Sequence, residues 1–326
     1  IRRELSANLS VMAAVMLVAV LFNLVAAMVV GIVTAMFLFV RHHSRSIVAR
    51  VYRGNHRHSS VMRPSDQDNA LRASGDEIVL VELDGPLFFG SGESLLDEVE
   101  RLSVSARHLI LDFRHVDNIE ASGAAALQRI ARSLAESGIR LYIAGIRGDS
   151  VRARLIQTAG LRDHVPHDGW FPDIDHALEA AEDSLLRDRG MPVDDEAGCA
   201  WHDMDALRGL DVQQIENLRG YGQHLRLGRG AFVFRKGDLG NALYLVTMGR
   251  VEIRLNLHDE ITSHRLVGLR PGTVFGELAL LRGGIRSADA VVATEKAELL
   301  VMTGPNLDRL QQDRPDIARL FFRNIA

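Results

Sequence analysis

The chain has a single cysteine, Cys199, in 326 residues. One thiol excludes an internal disulfide framework and fits a reducing compartment. Lysine is nearly absent. Lys236 and Lys296 are the only ones, and arginine supplies the other fixed positive charges, which reads as codon bias. Neither charge sign is in large excess: the formal net charge is -4, which gives no reason to expect a nucleic-acid partner. Motifs of catalysis are missing too. There is no nucleophile–base constellation, no metal-ligand cluster and no nucleotide-triphosphate loop. Ser122 and Asp112 lack a nearby candidate base. The expectation is a protein that is not an enzyme, with no catalytic residue, no metal and no cofactor.

Charge is also missing from Val11 to Val40, where Asn23 and Thr34 are the polar residues. An uncharged apolar run of this length reads as membrane-spanning. As one helix it would measure roughly 45 Å, longer than the roughly 30 Å hydrocarbon core. It is therefore expected as one tilted helix or as a hairpin turning near Phe22-Asn23-Leu24. Arg2 and Arg3 precede the run; Arg41, Arg45, Arg50, Arg53, Arg57 and Arg63 follow it without an intervening acid. The positive-inside rule puts the downstream flank in the cytoplasm. The stretch Arg41–Arg63 reads as a solvated topological anchor, the alternative being a site for anionic lipid headgroups or for a metal on its histidines. The spacing of His42, His43, His56 and His58 singles out no metal geometry. A signal peptide is not expected, because a basic stretch follows the run in place of a cleavage site. The chain begins at Ile1, so it is expected to be the C-terminal piece of something longer.

From about Asp68 to Arg187, strands alternate with helices. Glu77–Leu83, Arg107–Phe113 and Ile139–Ala144 read as strands; Ser94–Ser103, Ser122–Ser137, Ser150–Thr158 and Ile174–Leu186 read as helices. Ser122 is expected to be an N-cap, with Gly138 just past the helix end. The pattern predicts a small α/β domain. Within it, Asp84-Gly85-Pro86-Leu87-Phe88-Phe89-Gly90-Ser91, Leu111-Asp112-Phe113, Ile119-Glu120-Ala121-Ser122-Gly123 and Trp170-Phe171-Pro172-Asp173-Ile174 resemble a STAS domain of the type found in sulfate permease (SulP) family transporters. The apolar run and its basic exit resemble that family's last membrane helix or helices. In related anti-sigma-antagonist proteins the helix start carries a phosphorylatable serine. Ala121 stands at that position here, which speaks against such a switch and leaves Ser122 as a minor regulatory candidate.

Arg187–Ala200 is polar and contains Gly and Pro, so a linker is expected there. Short helices follow from Met204 to Gln223, with Leu207, Leu210, Ile215 and Leu218 on one face. From Leu225 the pattern becomes all-β. Ala231–Arg235, Ala242–Met248, Val251–Asn256, Ser263–Leu269 and Val291–Met302 are expected strands, which predicts a barrel or jelly roll. Asn306–Gln312 and Pro315–Ile325 are expected helices. The run Phe275-Gly276-Glu277-Leu278-Ala279, followed by Arg286-Ser287-Ala288, has the layout of a pocket for a singly charged cyclic phosphate. An always-charged arginine fork meets the phosphate. Gly276 permits close backbone approach, and amides after Glu277 can donate to the anion. A Glu277–Arg286 pair that only braces the turn is the structural alternative. With Phe234-Arg235-Lys236-Gly237-Asp238, Leu243-Tyr244-Leu245-Val246, Gly249-Arg250-Val251 and Leu269-Arg270-Pro271-Gly272, this run resembles the cyclic nucleotide-binding domain family. That resemblance implies ligand contacts from Phe275, Gly276, Glu277, Leu278, Ala279, Arg286 and Ser287, with Glu277 accepting from the ribose hydroxyl. Asp289 departs from the family pattern and would weaken phosphate binding if it pointed inward. The family's closing lid helix is expected to be missing or truncated at Ala326.

The expected fold is therefore multi-domain: transmembrane α segment(s) with a basic exit (residues 1–63), an α/β STAS domain (68–187), a linker (188–203) and an all-β jelly roll of cyclic nucleotide-binding type with flanking helices (204–326). The expected function is regulation of a SulP-type secondary anion transporter, carrying sulfate or bicarbonate, by cyclic AMP or cyclic GMP. Its anion site would lie upstream. The location would be multi-pass in the inner membrane with both soluble domains in the cytoplasm. Membrane lipid, an inorganic anion, a cyclic nucleotide and a second copy of the chain in a homodimer would be its partners. The alternative is a membrane-anchored signalling adaptor that binds protein partners without transport.

Overall fold

The computed structural model describes Met16 and residues 24–43, 46–146, 161–255, 264–282 and 284–325. It divides into two compact units. One comprises residues up to Val51 together with Val79–Asp173; the other comprises Tyr52–Ile78 and Ile174–Ala326.

Helix α1 (Leu24–His43) is the described part of the expected membrane run. Residues 11–15 and 17–23 of that run lie outside the described residues. Among the described residues no helix is long and apolar enough to cross a membrane, so the transmembrane segment expected over Val11–Val40 is unsupported. The basic stretch behind it is not a plain solvated anchor either. It contains strands β1 (Val48–Arg53) and β2 (Val61–Met62), and the Arg63 side chain is buried between carboxylates. Helix α2 (Ser65–Ser74) follows.

The α/β part is built on a five-stranded sheet of order β1-β3-β4-β5-β6, with β3 Ile78–Asp84, β4 His108–His115, β5 Arg140–Ala144 and β6 Trp170–Phe171. β4, β5 and β6 run parallel. Their continuous apolar runs are what a sheet buried on both faces requires. Helices α3 (Phe89–Ser103) and α4 (Ala121–Glu136) contribute Leu95, Val99, Leu127, Ile130 and Leu134 to the same core as Val79, Val81, Leu109 and Leu111. These two helices approach so closely that a Cβ on Gly92 would lie 2.6 Å from the Ala126 Cβ. α3 begins before the expected Ser94, because Ser91 Oγ accepts from the Phe88 amide at 3.0 Å and satisfies the helix start. The helix expected over Ser150–Thr158 lies outside the described residues. Helix α5 (Ile174–Asp188) follows β6.

The all-β part opens with helix α6 (Val212–Tyr221), capped by a reciprocal pair: the Gln214 amide donates to Asp211 Oδ1 at 2.8 Å and the Asp211 amide donates to Gln214 Oε1 at 3.0 Å. Eight strands follow: β7 Gln223–Gly228, β8 Phe232–Phe234, β9 Ala242–Met248, β10 Val251–Leu255, β11 His264–Leu269, β12 Val274–Phe275, β13 Asp289–Val292 and β14 Lys296–Thr303. They form sheets of order β2-β11-β10-β13-β8 and β12-β9-β14-β7. The single strand expected over Val291–Met302 is two strands, β13 and β14, interrupted at Ala293–Glu295; β7 and β12 had no counterpart among the expected strands. Period-two alternation organises the layers. On β9, Ala242, Tyr244 and Val246 face a core between the sheets, whereas Leu243 and Leu245 join Leu300, Met302 and the closing helices α8 (Gly304–Asp313) and α9 (Pro315–Ile325). Residues expected to be a linker are tied to this unit: the Cys199 amide donates to Thr247 O at 2.9 Å and the Gly249 amide to Asp195 O at 2.7 Å.

Candidate functional site

Two turns converge on Arg286. In the first, Asp238 Oδ2 accepts from the Arg235 amide at 2.7 Å, closing the loop after β8. That loop grips the Arg286 backbone, with the Gly237 amide donating to Arg286 O at 2.9 Å and the Arg286 amide donating to Asp238 O at 2.8 Å. Asp289 braces the same loop by accepting from the Lys236 amide at 2.7 Å. Its carboxylate therefore has a structural task in the turn.

The second turn follows β12. Gly276 has φ +83°, in the region that glycine enters without strain. It leads into the short helix α7 (Glu277–Arg282). A Cβ on Gly240 would lie 2.3 Å from the Ala279 Cβ, so this segment lies tightly over the Leu239-Gly240 backbone.

Between the turns the Arg286 side chain runs inward, and the residue is only 3% exposed. Nη1 donates to Gly276 O at 2.8 Å and Nη2 donates to Ala242 O at 2.7 Å. The guanidinium carbon lies 4.2 Å from the centroid of the Phe234 ring, within cation–π range. Phe234, Tyr244 and Phe275 form the aromatic wall, with Tyr244 and Phe275 stacked at 5.1 Å. Burial beside this wall raises the Tyr244 hydroxyl above its ordinary pKa, against the opposing pull of Arg286. Nε of Arg286 is buried without a hydrogen-bond partner. Among the described residues no carboxylate lies within ion-pair distance of the guanidinium, Glu277 included. The bracing Glu277–Arg286 pair is therefore not formed. A buried cation held only by neutral carbonyls and ring faces is costly, and an anion would offset that cost.

The expected residues are thus brought to one place. Phe275 is buried, Gly276, Glu277 and Ala279 are half-buried, and Leu278 and Ser287 are exposed. Ser122 lies far away in sequence, at the start of α4, and is not its N-cap. The helix begins at Ala121, Glu120 occupies the cap position, and no side chain caps the end. Gly123 is what the geometry needs there, since a Cβ on it would lie 2.4 Å from Leu87 O. The thiol of Cys199 is pushed up to about 11 by burial and by Asp203 and Asp66, so it is protonated at neutral pH.

A set of residues absent from the sequence-based expectations is the acidic stripe Asp175, Glu179, Glu182 and Asp183 on α5, which faces Arg63, Arg250, Arg265 and Arg270. The spacing of the acids along a helix that is apolar on its other side was the available signal.

A STAS domain family model matches residues 72–177 and a cyclic nucleotide-binding domain model matches residues 224–314. The chain contains both domains in that order. Glutaminase 2 of Bradyrhizobium diazoefficiens is 27% identical over 267 residues, 81% of this chain and 41% of that protein; glutaminase 1 of the same organism is 26% identical with 81% and 42% coverage. The vacuolar basic amino acid transporter VSB1 of Saccharomyces cerevisiae is 30% identical over 178 residues, 51% of this chain and 17% of the transporter. The cyclic AMP receptor protein of Thermus thermophilus is 41% identical over 97 residues, 29% of this chain and 44% of the receptor. The chain spans less than half the length of each of these relatives. The expectation that the protein is not an enzyme is contradicted by the two glutaminases, whose similarity runs along most of the chain. No catalytic motif announces it, because the likeness lies in extended sequence and the recognised domains are regulatory.

Proposed function

We propose that this chain is a cyclic nucleotide-responsive regulatory region. The observation that carries the reading is Arg286, a buried guanidinium without a carboxylate partner inside a matched cyclic nucleotide-binding domain. In the liganded state the cyclic phosphate takes the place of the Gly276 and Ala242 carbonyls on Arg286. Amides at Leu278 and Ala279 donate to the same phosphate, Glu277 accepts from the ribose hydroxyl, and Ser287 lies at the rim. Phe275 holds the turn against Tyr244. The ligand is a regulatory one, cyclic AMP or cyclic GMP. Calorimetric titration of the full chain with each nucleotide, with Arg286→Leu as control, tests the assignment. Heat that persists in Arg286→Leu would mean that the site is elsewhere.

The region regulated is, in this reading, a SulP-type secondary anion transporter. The apolar residues 11–40 would contribute its last passage or passages through the inner membrane, and both soluble domains would face the cytoplasm as a homodimer. The motifs of the STAS domain, the exposed apolar side chains of α1 such as Val25, Met28 and Met36, and the relationship to a vacuolar transporter support it. Flux of sulfate and bicarbonate into vesicles holding the intact protein, with and without cyclic AMP on the cytoplasmic face, is the test. A second reading is favoured by the breadth of the glutaminase similarity: the same regulatory pair attached to a glutamine-hydrolysing enzyme. Ammonia release from glutamine by the intact protein, with no ion flux, would select it. Neither flux nor hydrolysis would leave a membrane-anchored adaptor.

A further inference from the structure

Helix α5 is buried on two sides of opposite chemistry. Ile174, Ala177, Leu178, Ala181 and Leu185 are apolar and buried. Asp175, Glu179, Glu182 and Asp183 follow helical spacing and make a second stripe. Each carboxylate of that stripe is held. Arg265 of β11 donates to Asp175 Oδ2 at 2.6 Å and also to Glu179. Arg250, at the start of β10, donates to Glu179. Arg270, directly after β11, donates to Glu179 at 3.2 Å, to Asp183, and to Asp195 at 3.1 Å. Arg63 donates to Glu182 at 3.2 Å and pairs with Asp183 at 2.7 Å. Two neighbouring serines complete the grip. Ser59 gives its amide and hydroxyl to Glu182, and Ser60 gives its amide and hydroxyl to Asp175.

The four carboxylates of the stripe thus meet four guanidinium groups, and Asp195 adds a fifth carboxylate on Arg270. Burial alone would push Glu179 upward, but Arg250, Arg265 and Arg270 outweigh it and hold the carboxyl below its ordinary value. Such a cluster contributes little net stability over an apolar contact. It does fix one geometry, and removing one member strands a buried charge. That is the energetic profile of a contact with two states, made or broken, and it suits a coupling element better than a tether.

Its two ends lead to significant places. Arg270 opens the turn that becomes β12: the Thr273 amide donates to Arg270 O at 3.1 Å, the Gly272 amide to Val246 O at 2.8 Å, and the Val246 amide to Thr273 O at 2.9 Å. Phe275 and then Gly276, whose carbonyl accepts from Arg286, follow within three residues. At its other end α5 begins three residues after β6, the strand paired with β5 in the STAS sheet.

We propose that α5 is an ionic strap, gripped through Arg270 by the turn that leads into the phosphate site, and that it couples the state of that site to the STAS sheet. The proposal rests on the reading of Arg286 and Gly276–Ala279 as a cyclic nucleotide site. Hydrogen–deuterium exchange on the full chain tests it with Asp183→Asn. Without ligand, the variant is expected to speed exchange across residues 174–188 and also across 271–276 by about tenfold, with β14 unchanged. Saturating cyclic AMP should slow both segments in the wild-type chain and only residues 276–282 in the variant. If Asp183→Asn loosens 174–188 but leaves 271–276 untouched, the strap transmits nothing to the site and the proposal fails. It fails equally if wild-type chain binds cyclic AMP and α5 does not respond. If calorimetry finds no nucleotide uptake by the wild-type chain, the binding reading falls, and the strap is judged on the unliganded comparison alone. Should Asp183→Asn not fold, Arg250→Met at the cluster's more exposed rim is read in the same way.

Discussion

Arg286 donates to the Gly276 carbonyl from a position that a side chain on Gly276 would obstruct, because a Cβ there would lie 2.8 Å from Nη1. The arginine and the glycine define each other's geometry. Gly276→Ala meets two penalties, the contact with Arg286 and the left-handed φ. A loss of about 1–3 kcal/mol in urea unfolding is expected, together with weaker cyclic nucleotide binding by calorimetry. An unchanged midpoint would show that the turn relaxes freely.

Arg286→Leu separates ligand binding from stability. The variant loses charge-assisted bonds to an anion, each worth about 1.5–3 kcal/mol, so affinity for cyclic AMP should fall by about a hundredfold or more. The same change removes a buried cation that has no carboxylate partner, so the urea midpoint of the free chain should hold or rise. A marked fall in the midpoint would mean that the two carbonyl bonds and the ring contact outweigh the cost of burying the charge.

The strap predicts a stability profile with two limbs. Burial raises Glu182, but hydrogen bonds with His58 and Ser59 and the charge of Arg63 bring it below its ordinary value of 4.5; Glu179 is also lowered. Their contribution is present above pH 4.5 and is lost as pH falls through the depressed folded values. Asp195, raised chiefly by burial, offsets part of this acid limb. His58 is raised above 6.5 by its hydrogen bond to Glu182, against burial, with Asp68 adding to the rise and Arg72 opposing it. Its contribution is present below pH 6.5 and is lost as pH rises through the raised folded value. Urea midpoints measured against pH should fall on both sides. His58→Gln should flatten the upper limb and, because Glu182 loses that hydrogen bond, weaken the acid limb as well; a variant that keeps the upper limb intact would remove His58 from the account.

Cys199 should react slowly in the folded protein. A thiol raised from 9.0 to about 11 has about a hundredfold less thiolate at pH 8 than an ordinary one. Disulfide-reagent kinetics in native and urea-unfolded chain measure the ratio. Equal rates would show that the thiol is not shielded.

Most strands were legible because their apolar patterns are local. Ala242–Met248 alternates between two cores, and β4 carries a continuous buried run, so period and length sufficed. The motif around Gly276 and Arg286 was legible because glycine and arginine do things there that few other residues can. What stayed hidden depends on partners distant in sequence. Val61–Met62 is a strand only because β11 lies beside it. Arg63 looked like one more basic residue of a membrane flank, yet its partners lie more than a hundred positions away on α5. Ser122 looked like a cap, but the decisive residue is Gly123, whose role comes from the carbonyl of Leu87 pressing on the helix start. The start of α3 was misplaced for a related reason: Ser91 closes the turn from inside a run that reads as apolar.

The two tryptophans of the chain fall one to each unit. Trp170 lies on β6 and packs against the core of the STAS sheet, while Trp201 packs against the core beneath the β-roll, with the Arg219 guanidinium 4.6 Å above its ring and His224 edge-on at 6.3 Å. The protein thus carries its own pair of optical reporters. Trp170→Phe leaves an indole that sees only the nucleotide-binding unit, and Trp201→Phe leaves one that sees only the STAS unit. The order in which the units melt can therefore be read from intrinsic fluorescence, without attaching a label.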